Sequence, residues 1–104
     1  MNNIELKAHF IHGLSNKARL TILELLKSNE MTVNEIVEKS KISQSSISQH
    51  LSCLKGCGLV SSRQEGKYVY YQIKDRQILK LLKLIDSVVE DTEDDIENCQ
   101  YHTI

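Results

Sequence analysis

A change in hydrophobic periodicity at Gly58 limits the folds open to this chain. Before that glycine, apolar residues recur every three or four positions, as in amphipathic helices, whereas residues 59–63 and 68–73 form two short β-rich runs. The four residues between these runs, 64–67, contain a glycine and predict a hairpin connection. Asp75 is then the predicted N-cap of a further helix over about 76–90. The pattern indicates a mainly helical protein with one β-hairpin.

Four helical segments are predicted before the hairpin, over residues 4–14, 17–27, 33–39 and 44–57. Ser15 and Ser43 are the predicted N-caps of the second and fourth segments, and Thr32 with Glu35 has the spacing of a capping box. Gly58 stands where helices commonly end on glycine. With a tight turn over 40–42, the order α-α-α-α-β-β-α predicts a winged helix-turn-helix.

The charge of the chain is divided unevenly along its length. The net charge is only −1, but residues 41–83 hold eight basic and two acidic residues, a balance of +6. All five charged residues of segment 91–104 are acidic. We therefore predict one domain over residues 1–90 that binds nucleic acid and dimerises, followed by an acidic tail over 91–104.

Several classes of protein are disfavoured by composition. No apolar run approaches the roughly 18 residues of a membrane span, and the first fourteen residues lack the apolar core of a signal peptide, so a cytoplasmic location is expected. The three cysteines are an odd number, which favours free or metal-bound thiols in a reducing compartment. The sequence has no base–nucleophile set beyond the thiols and no glycine-rich phosphate loop, so an enzyme is not expected.

The fourth helix has the pattern of a DNA-reading helix. Ile47, Leu51 and Leu54 fall on one face and are predicted to anchor it to the core. The opposite face presents short neutral side chains that can hydrogen-bond to base edges in a major groove, namely Gln44, Ser45, Ser48 and Gln49. Arg63 and Lys67 are predicted at the hairpin tip, where they suit phosphate or minor-groove contacts. A polar face of this kind also occurs on ordinary solvated helices, but the basic wing beside it favours DNA.

Three segments of the chain resemble the ArsR/SmtB repressors. They are residues 14–23 (LSNKARLTIL), residues 43–51 (SQSSISQHL), and GLV at 58–60 followed by RQEGK at 63–67. The resemblance implies a homodimeric winged-helix repressor that pairs through its first and last helices and leaves its double-stranded operator when an inducer binds. His50 matches a histidine common in that family's reading helix. The predicted DNA-binding set is therefore Gln44, Ser45, Ser46, Ser48, Gln49, His50, Arg63 and Lys67.

Two cysteines lie one helical turn apart near the end of the fourth helix. Cys53 and Cys57, at i and i+4, present their side chains on one face, and rotamer choice can bring the two sulfurs into a single metal site. Cys99, in the acidic tail, is free to fold back as a third ligand. Thiolates favour soft ions such as Cd²⁺, Pb²⁺, Hg²⁺, Cu⁺, Zn²⁺ or As(III). The alternative is that the paired cysteines are small buried hydrophobes.

Residues 50–60 (HLSCLKGCGLV) are similar to the corresponding segment of the CmtR-type cadmium/lead sensors. This resemblance implies Cd²⁺ or Pb²⁺ as the inducer and Cys53, Cys57 and Cys99 as its ligands, with Cys99 donated either by the same subunit or by the partner subunit. The cysteine motif of many arsenic sensors is absent from 31–35, and no histidine lies between His50 and His102 to form a zinc site on the last helix. Zinc is therefore a poor inducer, although it can bind in vitro.

Two alternatives remain open from the sequence. The same cysteines can form a disulfide, which would make the protein a thiol-redox-sensing winged-helix repressor. A winged helix can also pair proteins without touching DNA, although the local charge of +6 speaks against this role. His102 lies close enough to Cys99 in sequence to assist as a ligand, whereas His9 and His12 are expected at the surface.

Overall fold

The computed structural model describes residues 1–99 and contains six helices and one β-hairpin within that range. The elements, in chain order, are α1 (Asn3–His12), α2 (Lys17–Leu26), α3 (Val33–Ser40), α4 (Gln44–Gly56), β1 (Val60–Glu65), β2 (Tyr68–Ile73), α5 (Arg76–Asp91) and α6 (Glu93–Glu97). The predicted winged helix-turn-helix is confirmed. The short helix α6 in the acidic tail was not predicted.

Most of the predicted helix starts are confirmed by side-chain hydrogen bonds. Thr32 and Glu35 form the full capping box, since each side chain accepts from the other's backbone N–H, at 3.2 and 3.0 Å. Ser43 and Asp75 cap α4 and α5 as expected. The predicted cap Ser15 is wrong by one residue. Helix α2 starts at Lys17, so the side chain within reach of the third helical N–H is that of Asn16, which accepts from Arg19 at 3.1 Å.

The hairpin has a tighter connection than the sequence indicated. β1 and β2 pair antiparallel from Val60 with Ile73 to Glu65 with Tyr68, so only Gly66 and Lys67 form the loop instead of the predicted residues 64–67. Gly66 has a φ of +61° while Lys67 has an ordinary φ, the pattern of a type II′ turn, which continues the twist of the strands. The strands can therefore pair up to this two-residue turn.

One hydrophobic core joins α2, α3, α4 and the base of the hairpin. Its most deeply buried side chains include the three predicted anchors of α4, Ile47, Leu51 and Leu54, each with no exposed surface. The segment before α3 also joins this unit, because Met31 pairs with Tyr71 of β2 through two backbone hydrogen bonds of 2.9 and 2.7 Å. The helix-turn-helix and the wing therefore form one packed unit.

The first and fifth helices leave apolar side chains in solvent. No residue of α1 is buried, and Leu82 is the only buried residue of α5. The two helices expose large apolar residues, which are Ile4, Leu6 and Ile11 on α1 and Leu84, Val88 and Val89 on α5. The expectation that the chain pairs through its first and last helices fits this distribution. No helix within residues 1–99 is long and apolar enough to cross a bilayer.

Candidate DNA-reading surface and thiol site

The exposed face of α4 carries the side chains that the sequence placed there. Gln44, Ser45, Ser48 and Gln49 are exposed, on the side of the helix away from the buried anchors. Two members of the predicted set, Ser46 and His50, are half-buried at the edge of this face. We refer to the four exposed residues as the reading face.

The turn between α3 and α4 sets the direction of the reading face. Lys41 ends α3 in the left-handed conformation, with a φ of +63°, and its N–H donates to Val37 at 2.9 Å. Ser43 then begins α4 and accepts from Ser46 N–H at 3.3 Å. No acidic residue occupies the first turn of α4. The positive end of this helix is therefore not neutralised by its own side chains, which suits approach to phosphates.

Lys67 places a positive charge at the tip of the wing. Lys67 lies in the two-residue turn, is exposed, and its Nζ lies 5.4 Å from the centre of the exposed Tyr68 ring. The wing tip thus combines a positive charge with an aromatic surface, a pairing that suits contact with a nucleic-acid backbone and groove.

Arg63 does not lie at the wing tip, contrary to the prediction. It lies within β1, opposite Tyr70, and its guanidinium forms two hydrogen bonds to Glu30, one of them Nε to Oε2 at 2.8 Å. A third bond joins Arg63 to Glu65 at 3.1 Å, and the guanidinium lies 4.8 Å from the Tyr70 ring centre. The hydrogen bond from Arg63 holds the pKa of Glu30 below its usual value. In the absence of DNA, Arg63 thus links the wing to Glu30, in the segment before α3.

Cys53 and Cys57 lie together at the C-terminal end of the reading helix. Cys57 is the C-cap of α4, and its N–H donates to the carbonyl of Cys53 at 3.0 Å. Both thiols are free and half-buried. Burial raises the pKa of the Cys57 thiol, the nearby Cys53 thiol raises it further by charge and hydrogen bonding, and Arg19 acts in the opposite direction. The Cys53 thiol is therefore a close neighbour of the Cys57 thiol.

The end of α4 is held by backbone hydrogen bonds. Gly58 has a φ of +80°, its N–H donates to Lys55, and the N–H of Leu59 donates to Leu54, the paired bonds of a Schellman motif. The predicted role of Gly58 at the helix end is confirmed. Because this motif leads directly into β1, Cys57 lies at the junction between the reading helix and the wing.

A cavity of about 460 Å³ lies beside Cys57, between α4 and α1. Its lining includes Phe10, Ile11 and His9 from α1 together with Gly56 and Cys57. Cys57 is therefore in contact with a space large enough for an ion and its surroundings. This space opens on the first helix rather than on the acidic tail.

Cys99 is not brought to the thiol pair within one protomer. It is exposed and follows α6, with its N–H donating to Ile96 at 3.2 Å. Within residues 1–99, no three side chains among His, Cys, Asp and Glu come together as a metal-ligand group. The structure thus assembles Cys53 with Cys57 but leaves Cys99 separate. His102 lies outside the described residues.

Several residues of this region were missed by the sequence reasoning. The partner of Arg63 is Glu30, which is 33 positions away and has no local signal. Arg19 had a signal that could have been used, because it lies at helical spacing from Ile22, Leu23 and Leu26, on the buried face of α2. An arginine in such a position must find acceptors, and it does so at the end of α1.

The helix-turn-helix, the exposed reading face and the hairpin define a winged-helix DNA-binding protein. Residues 16–62 match the family described as "Bacterial regulatory protein, arsR family". The chain is 37% identical over 93 residues to the nodulation protein NolR of Rhizobium meliloti, covering 89% of this chain and 76% of that protein. It is also 36% identical over 92 residues to a probable mercury resistance operon repressor of Streptomyces lividans, covering 88% and 74% of the two chains.

A solved structure has the same fold along nearly the whole chain. The homodimeric winged helix-turn-helix domain of a possible ArsR-family regulator from Mycobacterium bovis gives a TM-score of 0.79 at 32% identity, covering 96% of this chain and 90% of that one. The protein belongs to the arsR family of bacterial regulatory proteins. This family consists of transcriptional regulators, in agreement with the prediction that the chain is not an enzyme.

Proposed function

We propose that the protein is a homodimeric repressor that binds operator DNA and is released when Cys53 and Cys57 bind a soft metal ion, Cd²⁺ or Pb²⁺. One observation carries the proposal. The two thiols lie one helical turn apart at the C-terminal end of the same helix that presents the reading face at its N-terminal end. An ion at the thiols can therefore act on the helix that contacts DNA without occupying the DNA surface itself.

The exposed apolar residues of α1 and α5 support pairing with a second copy of the chain. A small domain that leaves Ile4, Leu84 and Val88 in water gains by burying them against a partner. The Mycobacterium bovis relative is itself described as homodimeric. In a symmetric dimer the two reading faces enter successive major grooves when they lie about 34 Å apart.

The chemistry of the donors favours soft ions. Cys53 and Cys57 supply two sulfurs, and Cys99 of the partner subunit is the proposed third, because it is exposed beyond α6. Thiolate sets of this kind select large, polarisable ions, and Zn²⁺ then binds only as a poorer substitute. That one relative is named as a probable mercury resistance operon repressor supports an ion of the same soft class.

Release follows from linkage between the two binding events. If the ion binds the DNA-free form more tightly, DNA and ion weaken each other by the same factor, which is about 5–150-fold in typical cases. Docking of the partner's Cys99 would also bring acidic residues of segment 91–99, such as Asp94 and Asp95, towards the reading helix. Their repulsion from phosphates adds to the release over about one Debye length, roughly 8–10 Å.

The proposal is tested with a labelled duplex that the wild-type protein has selected from a random-sequence pool. Fluorescence anisotropy measures duplex binding with and without CdCl₂ or a lead salt. Cys53→Ser and Cys57→Ser are expected to bind the duplex like the wild type and to remain bound when metal is added. Ser52→Ala, an exposed change on the same helix, is the matched control and keeps the metal response. Serine variants that still release the duplex with metal would contradict the proposal.

A redox-sensing repressor is the second candidate, and the spacing of the free Cys53 and Cys57 thiols, one helical turn apart, favours it. Oxidation would join two of the three cysteines in a disulfide. Peroxide treatment followed by intact mass measurement and the same anisotropy assay separates the two functions. Release by peroxide with loss of two hydrogens, and no release by Cd²⁺ under reducing conditions, would favour the redox function.

A further inference from the structure

The first helix is attached to the protomer mainly at its C-terminal end. No residue of α1 is buried, but Phe10 packs against the core. Arg19, which is 9% exposed, donates from Nε to the Gly13 carbonyl at 2.8 Å and from Nη2 to the His12 carbonyl at 3.0 Å. These carbonyls end the helix, so one buried guanidinium holds α1 to α2 by two charge-assisted hydrogen bonds.

The thiol of Cys57 lies directly against this attachment. A Cβ atom added to Gly13 would lie 3.1 Å from the Phe10 carbonyl oxygen, 3.3 Å from Cys57 Sγ and 3.3 Å from Leu59 Cδ1. The φ of Gly13 is −60°, so its backbone does not require glycine. Glycine is favoured here by the limited space, because a side chain at this position would press on the Cys57 sulfur. Helix α1 and the thiol are therefore in close contact through Gly13.

We propose that Gly13 and Arg19 couple the thiol pair to α1, so that an ion bound by Cys53 and Cys57 loosens the C-terminal end of α1 and the subunit interface that this helix forms. This inference rests on the proposed function, from which it takes the ion and the homodimer. A metal–sulfur bond, about 2.3 Å long for zinc, needs room around Sγ. The cavity beside Cys57 supplies room along α1, but next to Gly13 the sulfur is so crowded that even an added methyl group would lie 3.3 Å from it. Binding of an ion therefore requires the sulfur to turn towards the cavity or the end of α1 to move.

Movement of α1 carries the signal to the partner subunit. Ile4, Leu6 and Ile11 of α1 are among the exposed apolar residues proposed to face the second copy. The same ion acts on α4 through Cys53 and Cys57. A single binding event thus changes both the orientation of the reading face and the spacing between the two reading faces.

Hydrogen–deuterium exchange of the full chain tests the coupling without any substitution. One equivalent of CdCl₂ per protomer is added under reducing conditions, and the thiolate-to-metal absorption band is recorded on the same sample. With Cd²⁺ bound, the backbone amides of residues 9–14 are expected to exchange about fivefold faster or more, where fivefold is the lower end of the coupling usually found between two sites. The amides of α3 are expected to exchange at an unchanged rate. A band with unchanged or slower exchange at 9–14 overturns the inference and leaves the proposed function standing. Absence of the band overturns both.

Gly13→Ala and Ser52→Ala provide the test variant and its control. Gly13→Ala adds a methyl group 3.1 Å from the Phe10 carbonyl oxygen and 3.3 Å from Cys57 Sγ, whereas Ser52→Ala changes an exposed side chain of α4. With the selected duplex, Cd²⁺ is expected to weaken binding about tenfold for the wild type and Ser52→Ala, but about threefold or less for Gly13→Ala, whose metal-free form already binds weakly. Equal Cd²⁺ responses in all three proteins overturn the inference. If Gly13→Ala does not fold, the exchange experiment decides alone.

Discussion

Replacement of Gln49 by alanine separates DNA recognition from folding. Gln49 is exposed on α4. The opposite side of this helix is anchored in the core by Ile47, Leu51 and Leu54, which have no exposed surface. Removal of an exposed amide should change the free energy of unfolding by less than about 0.5 kcal/mol. A side chain that reads a base through two hydrogen bonds contributes about 1–3 kcal/mol. A homodimer reads two half-sites with two copies of Gln49, so the contribution to binding doubles. Gln49→Ala should therefore weaken duplex binding by about 2–6 kcal/mol.

Two measurements on the same preparations check this prediction. Urea unfolding gives the free energy of unfolding, and anisotropy with the selected duplex gives the dissociation constant at one fixed salt concentration. Gln77→Ala, an exposed glutamine on α5, is the matched control and should leave both quantities unchanged. If Gln49→Ala binds the duplex within twofold of the wild type and folds normally, the exposed face of α4 does not read bases at this position.

Three further changes test the architecture around the site. Leu54→Ala empties a fully buried position and should lower the free energy of unfolding by about 2–5 kcal/mol, measured in urea. Asn16→Ala should cost about 1 kcal/mol through loss of the cap of α2, whereas Ser15→Ala should cost almost nothing in the same assay. The pKa of Glu30 is lowered in the folded state, so its ion pair with Arg63 stabilises the protein above the unfolded value of about 4.3 and is lost as the pH falls through the folded value. The difference in melting temperature between wild type and Glu30→Gln should accordingly shrink on acidification, and a constant difference from pH 7 to pH 2 would refute that ion-pair contribution.

The features that the sequence predicted correctly depend on residues close together in the chain. The capping box of Thr32 with Glu35 and the anchors of α4 need only short spacings, and Gly58 needs only its own backbone conformation. The cap of α2 was misplaced because Ser15 and Asn16 are adjacent and both are good caps, so only the helix start distinguishes them. Local pattern therefore predicted the order of the elements and the two faces of the reading helix.

The contacts that the sequence did not reveal join distant segments. Arg63 was expected to be free for DNA, but Glu30, which the fold brings beside β1, binds it. Contact of Cys57 with Gly13 depends on how α1 crosses the end of α4, which no spacing rule gives. The position of Cys99 depends in the same way on α6, a helix that the sequence did not reveal. Electrostatic pairing and thiol environment are tertiary properties, so they required the structure.

The central claim is that ion binding at the thiols and DNA binding exclude each other. It is tested most directly by titration of Cd²⁺ into the protein–duplex complex while thiolate-to-metal absorption and duplex anisotropy are recorded together. The account predicts that the absorption band rises and the anisotropy falls over the same range, up to one ion for each pair of Cys53 and Cys57. A full absorption band with the duplex still bound, or release of the duplex without the band, would contradict it.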